Sequence, residues 1–187
     1  MPEQSTSSGI SLRGRTVPSY IAVEGPIGVG KTTLARRIAD TFDYDLLLEE
    51  AEMNPFLERF YLNRQQTALA TQLFFLFQRV QKITELKQRD MFDQARVADF
   101  VLEKDPLFAG VNLDPDEFAL YEKVFSKMRV DAPVPDLVIY LQASPDRLLE
   151  RIDRRGIDAE RLIDRRYLEQ LNEVYSEFFL YYDAAPL

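Results

Sequence analysis

The chain has 187 residues, 46% of them hydrophobic, with a formal net charge of −8 and neither cysteine nor histidine. That length supports one domain with a full core, and the acidic balance argues against nucleic-acid polymers and anionic membrane surfaces as partners. The two absences exclude disulfides, thiolate and zinc sites, and Cys–His or Ser–His–Asp machinery, so acid–base work falls to carboxylates, lysine or tyrosine. No signal peptide or membrane-length apolar run is visible, and a cytoplasmic enzyme is the expectation.

Residues 1–16 are rich in Ser, Thr, Gly and Arg and lack apolar periodicity, which predicts a disordered tail ahead of a single domain over 17–187. From Val17 strand-like and helix-like stretches alternate, the pattern of an α/β fold with a parallel sheet. The apolar run from Tyr20 ends in Gly25-Pro26-Ile27-Gly28-Val29-Gly30-Lys31-Thr32-Thr33, which opens directly into a helical pattern. Gly25, Gly30, Lys31 and Thr32 complete G-x-x-x-x-G-K-[ST], with strand, loop and helix in the order that a phosphate-binding loop requires. Glycines let successive N–H groups turn inward around an anion, and the helix start adds partial positive charge. Residues Gly25 to Thr33 are therefore expected to cradle the phosphates of a nucleoside triphosphate. Lys31 reaches the β- and γ-phosphates, and the Thr32 hydroxyl ligates Mg²⁺.

Thr32–Phe42 predicts the helix after the loop, buried along Leu34, Ile38 and Phe42. Asp45–Glu49 predicts a short buried strand ending in an acid, Pro55–Leu62 a helix, Gln65–Gln88 a longer helix, and Arg96–Phe100 a third strand. Asp114 and Pro115 read as the N-cap and first turn of a helix reaching Met128. Leu137–Leu141 is an apolar strand of the kind that a parallel sheet buries. Ser144-Pro145-Asp146 opens a helix to Arg155, and Asp164–Asp183 makes the last one. The chain stops where a loop would feed another strand, so a final strand is expected beyond Leu187.

Three constellations carry chemistry. Glu49 and Glu50 end the second strand, where open α/β sheets bind ligands; there a carboxylate accepts a proton from an attacking hydroxyl or helps hold Mg²⁺, or else caps the next helix. The long helix is apolar nearly all round, the mark of a buried helix, and Gln72 and Arg79 lie on one face of it with Phe75 and Leu76 between them. Spacing leaves two readings even: a glutamine that pairs with a nucleobase edge, and a core helix whose polar groups reach backbone or a dimer partner. Arg147, Glu150, Arg151, Asp153, Arg154 and Arg155 form mixed charges at helical spacing, read by default as a solvated face.

Together these residues resemble the deoxyribonucleoside kinase family, a group with a P-loop NTPase-type three-layer fold. The resemblance runs from Tyr20 to Leu187 and rests on the loop with Pro55-Phe56-Leu57, Gln72 and Arg79, Phe108-Ala109, and Asp136 to Pro145. Its nearest branch is the bacterial deoxyadenosine and deoxyguanosine kinases. The resemblance implies a parallel sheet with helices on both faces, ATP and Mg²⁺, a deoxyribonucleoside acceptor, a role in nucleotide salvage, and a homodimer. Glu49, expected with Thr32 at the metal site as well, matches the general base for the sugar 5′-hydroxyl, with Glu50 as the alternative register. Gln72 and Arg79 match the base-reading pair, Tyr61 and Glu160 the partners of the 3′-hydroxyl, and Arg151 and Arg155 two lid arginines on the phosphates.

Two departures stand out. The family's acid-Arg-Ser motif after strand three is here Ala98-Asp99-Phe100-Val101, so Asp99 supplies a substrate-side acid but no arginine follows. A third lid arginine is replaced by Ile157. Arg154 and Lys104 are the candidates to make good the missing charge. The expected activity is ATP-dependent phosphorylation of the 5′-hydroxyl of a purine deoxyribonucleoside. The alternatives are a nucleoside monophosphate kinase and a catalytically weakened nucleotide-binding regulatory protein.

Overall fold

The computed structural model describes residues 10–12, 15–89, 95–128 and 132–187. The expected tail lies outside them over 1–9 and 13–14, while β1 (Ile10–Leu12) and β2 (Arg15–Val17) pair as an antiparallel ladder. The main sheet contains β3 (Tyr20–Glu24), β4 (Asp45–Leu47), β5 (Arg96–Ala98) and β6 (Leu137–Tyr140), in the spatial order β4-β5-β3-β6, every pair parallel. Because successive side chains alternate faces, β3 serves two layers at once. Ile21 and Val23 pack with Ala35 and Ala39 of α1 (Lys31–Phe42), while Ala22 packs with Val138, Tyr175 and Phe179 on the other side. Tyr175 and Phe179 belong to α7 (Arg165–Leu180), so the sheet is covered on both faces.

The remaining helices build the upper wall: α2 (Leu57–Leu62), α3 (Arg64–Arg89), α4 (Asp105–Asn112), α5 (Pro115–Met128) and α6 (Pro145–Arg155). Asp114 caps α5 as expected, in a reciprocal box: it accepts from the Glu117 N–H at 2.9 Å while Glu117 accepts from its own. Asp164 caps α7, its side chain accepting from the Tyr167 N–H.

The apolar patterns mislead in three places. Phe42 is 53% exposed because the buried stripe of α1 runs through Ala35 and Ala39, small residues that let the helix approach the sheet. β4 is an edge strand with Asp45 and Leu46 exposed, not a buried one. α3 is not enclosed all round, since Phe77 is half exposed while Leu76 is fully buried. The helix α4 has no counterpart in the sequence reading, although Pro106 sits in its first turn. At the other edge the β6 N–H of Val138 donates to the Pro186 carbonyl at 2.8 Å. No helix among the described residues is long and apolar enough to cross a membrane.

Candidate active site

β3 delivers the loop. Gly25 takes φ 148° and a Cβ there would stand 2.4 Å from the Leu141 carbonyl, where the loop passes the exit of β6. At Gly28, with φ 80°, a Cβ would meet Ile152 of α6 at 2.8 Å, so the loop turns where only glycine fits. The first turn of α1 carries no acid, which leaves its partial positive charge available to an anion. Lys31 Nζ donates to the Gly25 and Pro26 carbonyls at 2.7 and 3.2 Å. Burial and the neighbouring Lys104 hold its ammonium below the usual lysine range. Arg151 donates from α6 to the Val29 carbonyl at 2.6 Å, which ties the lid helix to the loop.

Opposite the loop, Glu49 leaves β4 pointing inward. One carboxylate oxygen pairs with Arg79 and the other faces Lys104 Nζ at 3.3 Å. Beyond Arg79 stands Asp105, fully buried and receiving the Tyr121 hydroxyl; beyond Lys104 stands Glu24, also fully buried. The five groups form a file of alternating charge, Asp105–Arg79–Glu49–Lys104–Glu24. Burial would push the Glu49 carboxyl up, but Arg79, Lys104 and Lys31 outweigh it and hold it down at about 2. Glu50 takes the opposite course, half exposed and paired with Lys82 at 3.1 Å.

Asp99 stands between the phosphate loop and Glu49, because β5 runs beside β3 and its exit sits over the start of α1. It accepts from the Thr32 hydroxyl and, through its other oxygen, from the Glu49 N–H at 2.7 Å. Burial pushes its carboxyl up.

Glu49, Lys31, Thr32 and Asp99 share one cavity of about 1120 Å³ with Tyr61, Gln72, Arg79, Arg151, Arg155 and Glu160. Gln72 is 3% exposed and its side-chain oxygen has no hydrogen-bond partner, an unmet acceptor turned into a ligand-sized space. Burial pushes the Tyr61 hydroxyl above its ordinary range, so it stays a neutral donor. Arg155 pairs with Glu160, joining two expected binding residues to each other. Arg79 has both arms engaged by carboxylates, so it braces Glu49 as well as lining the cavity near Gln72.

A family model described as deoxynucleoside kinase matches residues 21–187. The chain belongs to the deoxynucleoside kinase family. It is 36% identical over 157 residues to the deoxyguanosine kinase of Bacillus subtilis, across 83% of this chain and 76% of that one. It is 30% identical to the deoxyadenosine/deoxycytidine kinase of the same organism, across 90% and 80% of the two chains. Among solved structures, deoxyadenosine kinase from M. mycoides with bound dATP superposes with a TM-score of 0.76 at 30% identity, covering 88% of this chain and 90% of that one. The three-layer α/β architecture and the kinase activity on deoxynucleosides are those of the family.

Sequence reasoning missed two members of this kinase's central file. Asp105 and Glu24 are ordinary acids in the sequence, and nothing local marks them as fully buried. Side chains alternate faces along β3, so Glu24 shares the face of Ala22, opposite Ile21 and Val23, in a strand buried from Ile21 to Glu24, which was the one available signal. Of the two candidates for the missing charge, Lys104 stands at Glu49, while Arg154 lines the cavity on the lid side.

The file also sets an acid limit on stability. Glu49 is depressed in the folded state, so its contribution is full above its unfolded pKa of roughly 4.3. It is lost as the pH falls through about 2. The urea midpoints of wild type and Glu49→Gln are therefore expected to converge as the pH is lowered from about 5 towards 3. A gap that stays constant would mean that Glu49 titrates alike in both states.

Proposed function

We propose that this kinase transfers the γ-phosphoryl group of ATP to the 5′-hydroxyl of a purine deoxyribonucleoside. The observation that carries this reading is the placing of Glu49: an inward carboxylate across one cavity from the phosphate loop, with the unmet oxygen of Gln72 in the same space. Glu49 accepts the hydroxyl proton as the phosphoryl group transfers. Lys31 and the loop N–H groups hold the donor phosphates, while Arg151 and Arg155 close over the transferring group. Tyr61 and Glu160 hold the 3′-hydroxyl, and Gln72 takes the base edge.

The Thr32 hydroxyl and the Asp99 carboxylate are hard oxygen donors side by side at the loop, a fit for Mg²⁺, which takes its other ligands from phosphate and water. Both Glu49 oxygens face cations, so the metal role expected of Glu49 passes to Asp99. When bound, Mg²⁺ neutralises charge across the β- and γ-phosphates. The purine preference draws on the deoxyguanosine and deoxyadenosine kinases among the relatives. Exposed Phe77 on α3 and Leu120 on α5 support assembly as a homodimer.

Phosphorylation of the four deoxyribonucleosides by ATP and Mg²⁺ tests the reading, with deoxyguanosine or deoxyadenosine expected to show the highest kcat/KM. Activity on none of them despite ATP binding would favour the regulatory alternative. Gln72→Leu removes the amide and is expected to lower kcat/KM for the preferred nucleoside by about 10–100-fold. An unchanged ranking of the four bases would remove Gln72 from base selection.

A further inference from the structure

Lys104 closes the short helical turn Leu102–Lys104 just before α4, and it is only 2% exposed. A buried ammonium persists only where carboxylates receive it. Two do: Glu24 at 3.1 Å and Glu49 at 3.3 Å. Their charges outweigh burial and hold the lysine above its ordinary range.

Glu24 is itself immobilised from three directions. It accepts from the Gly25 N–H at 2.8 Å, the Val101 N–H at 3.1 Å and the Tyr175 hydroxyl at 3.0 Å. Gly25 is the first residue of the phosphate loop, so Lys104 joins Glu49 to the root of that loop through one fixed carboxylate. Phe100, directly after Asp99, fills its place with a buried ring, and the Lys104 ammonium stands 6.0 Å from the ring centre.

We infer that Lys104 is a positioning residue for phosphoryl transfer: it holds the Glu49 carboxylate against the loop root, so that a cation from a different place in the chain does the work expected of an arginine after Asp99. This rests on Glu49 being the group that receives the hydroxyl proton. Glu49 then has a cation at each oxygen, Arg79 on one and Lys104 on the other, and neither oxygen can swing away from the acceptor. The absent arginine therefore removes no charge from the site, and the motive for reading this chain as a disabled kinase disappears.

The test is a double-mutant cycle in the active wild type. Lys104→Met is expected to lower kcat about 100-fold while the KM values for nucleoside and ATP stay within about threefold. Lys104→Arg should recover most of that loss. In the Glu49→Gln background, Lys104→Met should cost less than about threefold, because the carboxylate it orients is gone. That double variant loses one charge of each sign and serves as the folded reference. If Lys104→Met does not fold, Lys104→Gln, which keeps a donor towards both carboxylates, carries the same cycle. Equal losses in both backgrounds would overturn the role of Lys104, as would a loss confined to KM. A wild type inactive on all four deoxyribonucleosides would instead sink the phosphorylation reading on which it rests.

Discussion

Glu49→Gln is expected to lower kcat by about 10²–10⁴-fold while deoxyribonucleoside and ATP binding, followed by calorimetry, change little. The substitution keeps the shape of the side chain and removes both its ability to take a proton and the charge that faces Arg79 and Lys104. The fold should survive it, because Arg79 retains Asp105 and Lys104 retains Glu24. Glu50→Gln is the matched control. Its carboxylate points out to Lys82, so turnover should stay within about twofold of wild type. An unchanged kcat in Glu49→Gln, or a collapse in Glu50→Gln, would reverse the assignment.

Arg79→Met should be the most destabilising single change in the site, by about 3–5 kcal/mol in chemical unfolding with an unaltered m-value. Arg79 is 4% exposed and its guanidinium joins Asp105 to Glu49. Its loss leaves two enclosed carboxylates with no cation between them, and among the described residues Asp105 keeps the Tyr121 hydroxyl at 2.7 Å. Arg79→Met with Asp105→Asn removes the second charge and should recover a large part of the stability. Arg79→Lys should recover less, because an ammonium lacks the planar fork that meets two carboxylates at once. A loss below about 1 kcal/mol for Arg79→Met would show that the file is solvated and that its pairs contribute as surface ion pairs do.

The two predictions differ in how far the sequence foretold them. Glu49 stood out because an acid closing an apolar run beside a phosphate loop is placed to take a proton or help hold a metal, though helix capping and its register against Glu50 stayed open. The structure separates the two by direction: as β4 ends, Glu49 turns inward and Glu50 turns towards Lys82. Arg79 was legible only as a neighbour of Gln72 on one helix face. Its partner Asp105 lies 26 residues away on another helix, and no spacing rule links them. Phe42 and β4 show the same limit on apolar residues, since periodicity finds a stripe but not what packs against it.

By itself the sequence determined the phosphate loop, the alternation of strand and helix, and the cap at Asp114. All of these are local: a glycine conformation, an apolar period or a side chain reaching a backbone N–H within a few residues. The tertiary structure alone decided which of Glu49 and Glu50 turns into the cavity, where Asp99 lies, and that Lys104 stands at Glu49. Those depend on burial and charge pairing between elements far apart in the chain. The Lys104–Glu24 contact, which ties β3 to the turn before α4, exists only once the sheet has closed.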